Sequence, residues 1–162
     1  MSLLGTMFLI RLVPPYFNNH LKRLIKTSKV QFLDSGVLAA VIGRTEERIA
    51  ADRGLFGPLL ETFVYSELLK LATVSDGEYS IMHYRDRDQV EVDFVIERTD
   101  GAVVAVEVKA SATIRDHDLR GLRRIAAGLG DTLKQGFILY DGSDTVPLGD
   151  RLIAAPVSSL WA

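Results

Sequence analysis

Apolar positions along the chain repeat at two spacings, and each change of spacing marks an element. Over residues 59–72 they recur every three or four residues, the helical period, with Pro58 suited to a first turn and a Gly54/Gly57 break before it. At 100° per residue Leu60, Phe63, Val64 and Leu71 form one apolar face. Glu67 falls in the middle of that face and Glu61 near its edge, so both carboxylates need partners. Three β-branched or aromatic runs follow at 79–84, 90–97 and 102–109, separated by Arg85-Asp86-Arg87-Asp88 and Thr99-Asp100-Gly101, a pattern that predicts a meander. Asp116 or Asp118 opens a helix that runs to about Leu129 and closes at Gly130; a buried strand is expected at 136–140, a last strand at 152–154 and a turn at 158–161.

The first 53 residues are patterned differently. Residues 5–29 carry Arg11, His20, Lys22, Arg23, Lys26 and Lys29 against no acid. Residues 30–33 read as a short strand, Asp34-Ser35 as a helix N-cap, and 36–42 as a brief helix ended by Gly43; Thr45 can cap another, with Glu46 and Glu47 favourable in its first turn. Met1-Ser2-Leu3 reads as an added leader joined to a native sequence that begins in mid-domain. The expected whole is an α/β fold: an αβββαβ core with a central mixed sheet flanked by helices, preceded by a small, mostly helical region.

Register turns the hairpin at 91–109 into chemistry. If its turn is centred on Asp100, residues whose numbers sum to 200 stand opposite, so Asp93 faces Glu107, and Lys109 joins that face two residues on. Val92, Phe94, Ile96, Val104, Val106 and Val108 then form the other face. Opposed carboxylates in an apolar sheet repel, and a proton, an ammonium or a divalent metal must resolve them. Two carboxylates, the Val108 carbonyl and water suit Mg²⁺ or Mn²⁺, with Lys109 placed to orient a water or stabilise charge on phosphorus. The plain alternative is a rim ion pair between Glu107 and Lys109 on a half-exposed strand.

Composition narrows the classes. A chain of 162 residues, 48% hydrophobic and 25% charged, is long enough for one domain with a core. Nineteen basic residues against twenty-one acidic ones advertise no polyanion partner, so any contact with DNA must rest on local patches. The absence of cysteine removes disulfides, thiolate zinc sites and a cysteine nucleophile, and fits a cytoplasmic setting. The apolar run before Pro14 and Pro15 is too short to span a membrane, and no signal peptide is read. His20, His83 and His117 share no metal-ligand spacing, Ser111 has no His partner in sequence, and no phosphate-cradling Gly-x-x-x-x-Gly-Lys-Ser/Thr loop occurs, so this chain is not itself an ATPase. Arg115, Arg120, Arg123 and Arg124 make one side of the penultimate helix basic, either a solvated face or a phosphate contact.

Gly57-x-x-x-Glu61, Val92-Asp93-Phe94 and Glu107-Val108-Lys109, taken in order, resemble the Holliday-junction-resolvase branch of the PD-(D/E)XK, or restriction-endonuclease-like, nuclease superfamily. With Phe32-Leu33-Asp34-Ser35-Gly36, Glu61-Thr62-Phe63-Val64, Tyr84-Arg85-Asp86-Arg87 and Glu107-Val108-Lys109-Ala110-Ser111, the set from about Phe8 onward also resembles the C-terminal domain of unknown function of a family of bacterial AAA-type ATPases. The resemblance implies Asp93, Glu107 and Lys109 as the site with Glu61 as a helix-borne acid. It also implies residues 1–53 as the tail of a preceding ATPase or winged-helix portion, 54–162 as the nuclease-like domain, and ATP bound only in a part outside this chain. Val92 stands where the superfamily places Pro before the Asp. Two functions follow as expectations: a domain that binds and cuts nucleic acid with a divalent metal, or a catalytically silent module that docks on its own ATPase portion or another protein.

Overall fold

The computed structural model describes residues 3–17 and 25–161; His20, Lys22 and Arg23 lie outside them. The chain opens with a helical turn α1 (Leu3–Thr6), strands β1 (Ile10–Val13) and β2 (Lys29–Phe32), and helices α2 (Ser35–Val41) and α3 (Glu46–Ala51). Asp34 and Thr45 cap the two helices as their residue types require, accepting from the amides of Val37 and Arg48. β1 and β2 pair antiparallel in a two-stranded ribbon of their own. The N-terminal region is small and carries three helical elements among its described residues, as expected; the strand β1, at Ile10–Val13 just before Pro14, adds a partner for the expected strand β2.

The long helix α4 (Phe56–Val74) leads into β3 (Tyr79–Arg85), β4 (Glu91–Arg98) and β5 (Val103–Lys109). After a 3-10 turn at Asp116–Leu119 come α5 (Arg120–Leu129), β6 (Leu133–Tyr140), β7 (Val146–Gly149) and β8 (Leu152–Pro156), then a closing 3-10 turn, Val157–Trp161. The expected αβββαβ order is present. The sheet runs β3-β4-β5-β6-β8-β7: an antiparallel meander over its first three strands, parallel pairing of β5 with β6 and β6 with β8, and an antiparallel edge at β7. The edge strand contains Pro147, which a central strand would exclude, and the sequence pattern assigns no element to its four residues.

Helices cover both sheet faces. Val64, Tyr65 and Leu68 of α4 pack with Phe94, Val106, Leu139 and Ala155. Leu119, Leu122, Ile125 and Leu129 pack from the α5 side on Val92, Val95, Val103, Ala105, Leu133 and Ile138. The buried stripe of α4 differs from the expected one. It contains Leu59, Leu60, Thr62, Val64, Tyr65 and Leu68, whereas Leu71 is 38% exposed. Glu67 moves to the flank, where it pairs with Lys70 and accepts from Trp161 Nε1 at 3.1 Å. Phe63 lies there too, its ring 5.6 Å from that of Trp161.

Register on the β4–β5 side follows the sum of 200: Phe94 opposes Val106, Ile96 opposes Val104, and the Arg98 amide donates to Ala102 across a turn with Gly101 at φ +84°. On the β3 side the alternation breaks. Met82 pairs with Val95 and Tyr84 with Val92, so His83 alone stands opposite Asp93 and Phe94, a β-bulge in β4. The extra residue returns Val92 to the α5-side core, correcting its expected place on the face of Phe94 and Ile96. Bulges re-aim one side chain, and here that side chain is Asp93.

Candidate functional site

Asp93, Glu107, Lys109 and Glu61 meet where β4 and β5 part beside the N-terminal half of α4. The ladder's last pair is Phe94 with Val106; beyond it the Val108 amide donates to Asp93 Oδ2 at 2.9 Å in place of a strand partner. One residue's N–H and C=O leave the same edge of an antiparallel strand, so the Val108 carbonyl also faces β4. Glu107 and Lys109 continue the row of Val103 and Ala105 toward the start of α5. Lys109 Nζ sits 2.8 Å from Glu107 Oε1 and 3.5 Å from Asp118 Oδ1, and the Arg115 amide steadies Asp118 at 2.8 Å. Asp93, re-aimed by the bulge, presents Oδ1 to Lys29 Nζ at 3.4 Å, and the same ammonium lies 2.7 Å from Glu61 Oε1.

The electrostatics follow from burial. Side-chain exposure at the site runs from 12% for Asp118 to 29% for the two lysines. Burial, and then the neighbouring charge of Asp93, push the Glu107 carboxyl up to about 7; Lys109 opposes both. Glu107 Oε2 is buried and meets no hydrogen-bonding group in good geometry among the described residues; the Asp93 backbone amide, the last of the influences on this carboxyl, favours its charged form only weakly. Burial and Asp93 raise Glu61 likewise, against the pull of Lys29. For both lysines burial acts downward, and the carboxylates beside them outweigh it.

Sequence reasoning did not single out Lys29 or Asp118 as members of the site. Lys29 belongs to a basic stretch whose pairing no local pattern reveals, and Asp118 reads locally as a helix opener. Asp86, which reads as a turn residue, is 1% exposed and accepts from the amides of Asp88 and Val90 at 2.9 and 3.0 Å and from the Tyr84 hydroxyl at 3.3 Å. Arg124 lies 3.7 Å from Asp86 and 3.4 Å from Asp88, and Arg123 lies 2.8 Å from Asp116, so these two arginines of α5 face acids of the same chain. His83 is buried, its Nε2 donating to the Thr27 carbonyl at 3.0 Å. His117 lies 3.4 Å from Asp118.

No three of His, Cys, Asp and Glu converge on a metal position among the described residues. A magnesium-type ion does not need three, since it keeps several waters and commonly takes one or two carboxylates. Glu107 Oε2, buried with no donor in good geometry among the described residues, Asp93 Oδ1 and the Val108 carbonyl are all oxygens, the donor type such an ion takes, so the chemistry of the donors is compatible with it. A shallow groove of about 540 Å³ opens beside the site, lined by Gly54, Gly57, Ala110, Ser111, Ala112 and Asp141. The two glycines leave room for a close-lying backbone. No described helix is long and apolar enough to cross a membrane.

Among known proteins, residues 56–160 match the family described as Domain of unknown function (DUF4143), and residues 1–48 match one described as Domain of unknown function (DUF8612). An uncharacterized protein of Mycobacterium tuberculosis and one of Mycobacterium bovis are each 26% identical over 152 residues, covering 93% of this chain and 32% of theirs. The chain spans about a third of the length of these curated relatives.

Proposed function

We propose that this chain, which belongs to the family described as Domain of unknown function (DUF4143), binds nucleic acid and cleaves its phosphodiester backbone with a divalent metal. The observation that carries the reading is Glu107: a buried carboxyl pushed up to about 7, facing Asp93, with one oxygen that meets no donor in good geometry among the described residues. A purely structural acid would be expected to have its second oxygen satisfied, because an unpaired buried acceptor costs about 1–3 kcal/mol.

Asp93 Oδ1, Glu107 Oε2 and the Val108 carbonyl would hold Mg²⁺ or Mn²⁺. When bound, such an ion supplies Lewis-acid polarisation of a phosphoryl oxygen and lowers the pKa of water. The chain's own residues do the rest. Lys109, held between Glu107 and Asp118, orients the attacking water and stabilises the charge that develops on the equatorial phosphoryl oxygens. Glu61 accepts a hydrogen bond from solvent or substrate on the α4 side once its own cation moves. The groove at Gly57, Ala110 and Ser111, just beyond the end of β5, would give the strand a path beside the site. DNA is the proposed partner.

Incubation with Mn²⁺ and a panel of single-stranded, duplex and four-way-junction DNA tests this reading. Cleavage should be lost at least a hundredfold in Asp93→Asn, Glu107→Gln and Lys109→Ala. No cut by the wild type on any member, or undiminished cutting by Asp93→Asn, would contradict it.

A second reading has its own observation. Phe8 is 81%, Leu12 62% and Val30 55% exposed, an apolar surface on the N-terminal ribbon and the turn before it that suits a protein partner. On that reading the chain is a silent module docked on an upstream ATPase portion of a longer protein, the only part that would bind ATP.

A further inference from the structure

The N-terminal ribbon enters the candidate site through one side chain, and the atom it touches is the one a metal would need. Asp93 has two carboxylate oxygens. Oδ2 is committed to the Val108 amide at 2.9 Å, which leaves Oδ1 for any cation. Lys29 Nζ lies 3.4 Å from Oδ1 and 2.7 Å from Glu61 Oε1. On the other side Lys109 takes Glu107 Oε1 and leaves Oε2 uncovered. Of the two ammonium groups, only Lys29 stands on an oxygen of the proposed metal set.

The placement of Lys29 is built into the fold. Gln31, two residues along β2 and so on the same face, is buried and donates through Nε2 to Thr62 Oγ1 at 2.9 Å, one residue after Glu61 in α4. Before Lys29, the Thr27 carbonyl accepts from His83, the residue opposite the bulge that re-aims Asp93. Anchors on both sides therefore fix Lys29 against α4 and β4.

We propose that Lys29 is an internal counter-cation of the site, and that a divalent ion binds only by displacing its ammonium from Asp93 Oδ1, so that the docked ribbon and the metal oppose each other. The inference rests on the metal reading above. Its physical basis is repulsion: a divalent ion on Oδ1 and an ammonium on the same oxygen would lie within a few ångströms in a poorly solvated corner, where like charges interact strongly. Lys109 need not move, because its oxygen is the one the ion leaves free. Occupancy of the site would thereby be set by the N-terminal segment and by whatever holds or pulls that segment.

Calorimetric titration with Mn²⁺ and mild lysine acylation followed by mass spectrometry test the proposal on the 162-residue chain. Saturating Mn²⁺ should raise acylation of Lys29 in the wild type at least threefold while Lys134 stays constant. Lys29→Met should bind Mn²⁺ at least tenfold tighter than the wild type. Binding by the wild type with Lys29 still protected would overturn the inference and leave the metal reading standing. The acylation result decides the matter if Lys29→Met does not fold. No Mn²⁺ binding by wild type and variant at millimolar concentration would remove the metal reading, and this inference with it.

Discussion

Glu107 is held in a position that water would improve. Burial, and then the charge of Asp93, push its carboxyl up to about 7 from an ordinary 4.5. Below about pH 4.5 folded and unfolded chains both hold the proton; between 4.5 and 7 the folded chain holds more of it, so this group's contribution to stability falls as pH rises through that window. A shift of that size corresponds to roughly 3 kcal/mol at most. In chelator-treated protein the wild-type melting temperature is therefore expected to drop by several degrees between pH 5 and pH 8 relative to Glu107→Gln, which should be flatter over the same range. Parallel profiles for the two proteins would mean that Glu107 is solvated or fully paired. Lys109 reduces the effect without removing it, because its ammonium also serves Asp118 and leaves Oε2 uncovered.

At the scale of elements, the site depends on how closely α5 approaches the sheet. Gly121 makes the approach possible: a Cβ there would lie 2.0 Å from the Glu91 carbonyl oxygen, on the strand that carries Asp93. Backbone cannot yield as a flexible side chain can, so Gly121→Ala should destabilise by at least the 1–3 kcal/mol typical of overpacked cores. That would lower the melting temperature by roughly 3–10 °C for a chain of this size. An unchanged melting temperature would place α5 farther from β4 than it lies here. The sequence states the strands and helices well because their periods are long and regular, and it states the β4–β5 register because one turn at Asp100 fixes it. The pairing of Glu107 with Lys109 is legible because residues two apart on one strand share a face. The bulge at Asp93-Phe94 is not, since nothing in Val92-Asp93-Phe94 departs from simple alternation; it emerges only from pairing with β3 across His83. Lys29 is invisible for a related reason: it reaches Glu61 and Asp93 through a tertiary hydrogen bond from Gln31 to Thr62 that no local spacing encodes.

Across the whole molecule, two regions with different demands share one site. The six-stranded sheet with α4 and α5 buries two apolar clusters and supplies Asp93, Glu107, Lys109 and Glu61. The ribbon supplies Lys29 while exposing Leu12 and Val30 on its surface. A partner that covered those residues would act on the same strand that carries the counter-cation, which joins the interaction reading to the metal reading in one molecule. The central claim is that Asp93 and Glu107 form a divalent-metal site, and anomalous scattering from a crystal soaked in Mn²⁺ tests it most directly. The predicted result is a single strong peak about 2.0–2.3 Å from Asp93 Oδ1, Glu107 Oε2 and the Val108 carbonyl oxygen, typical of oxygen-ligated ions. Lys29 should be turned away from Asp93 in that crystal. A soaked crystal with no peak there and the Lys29 ammonium still between Glu61 and Asp93 would contradict the account.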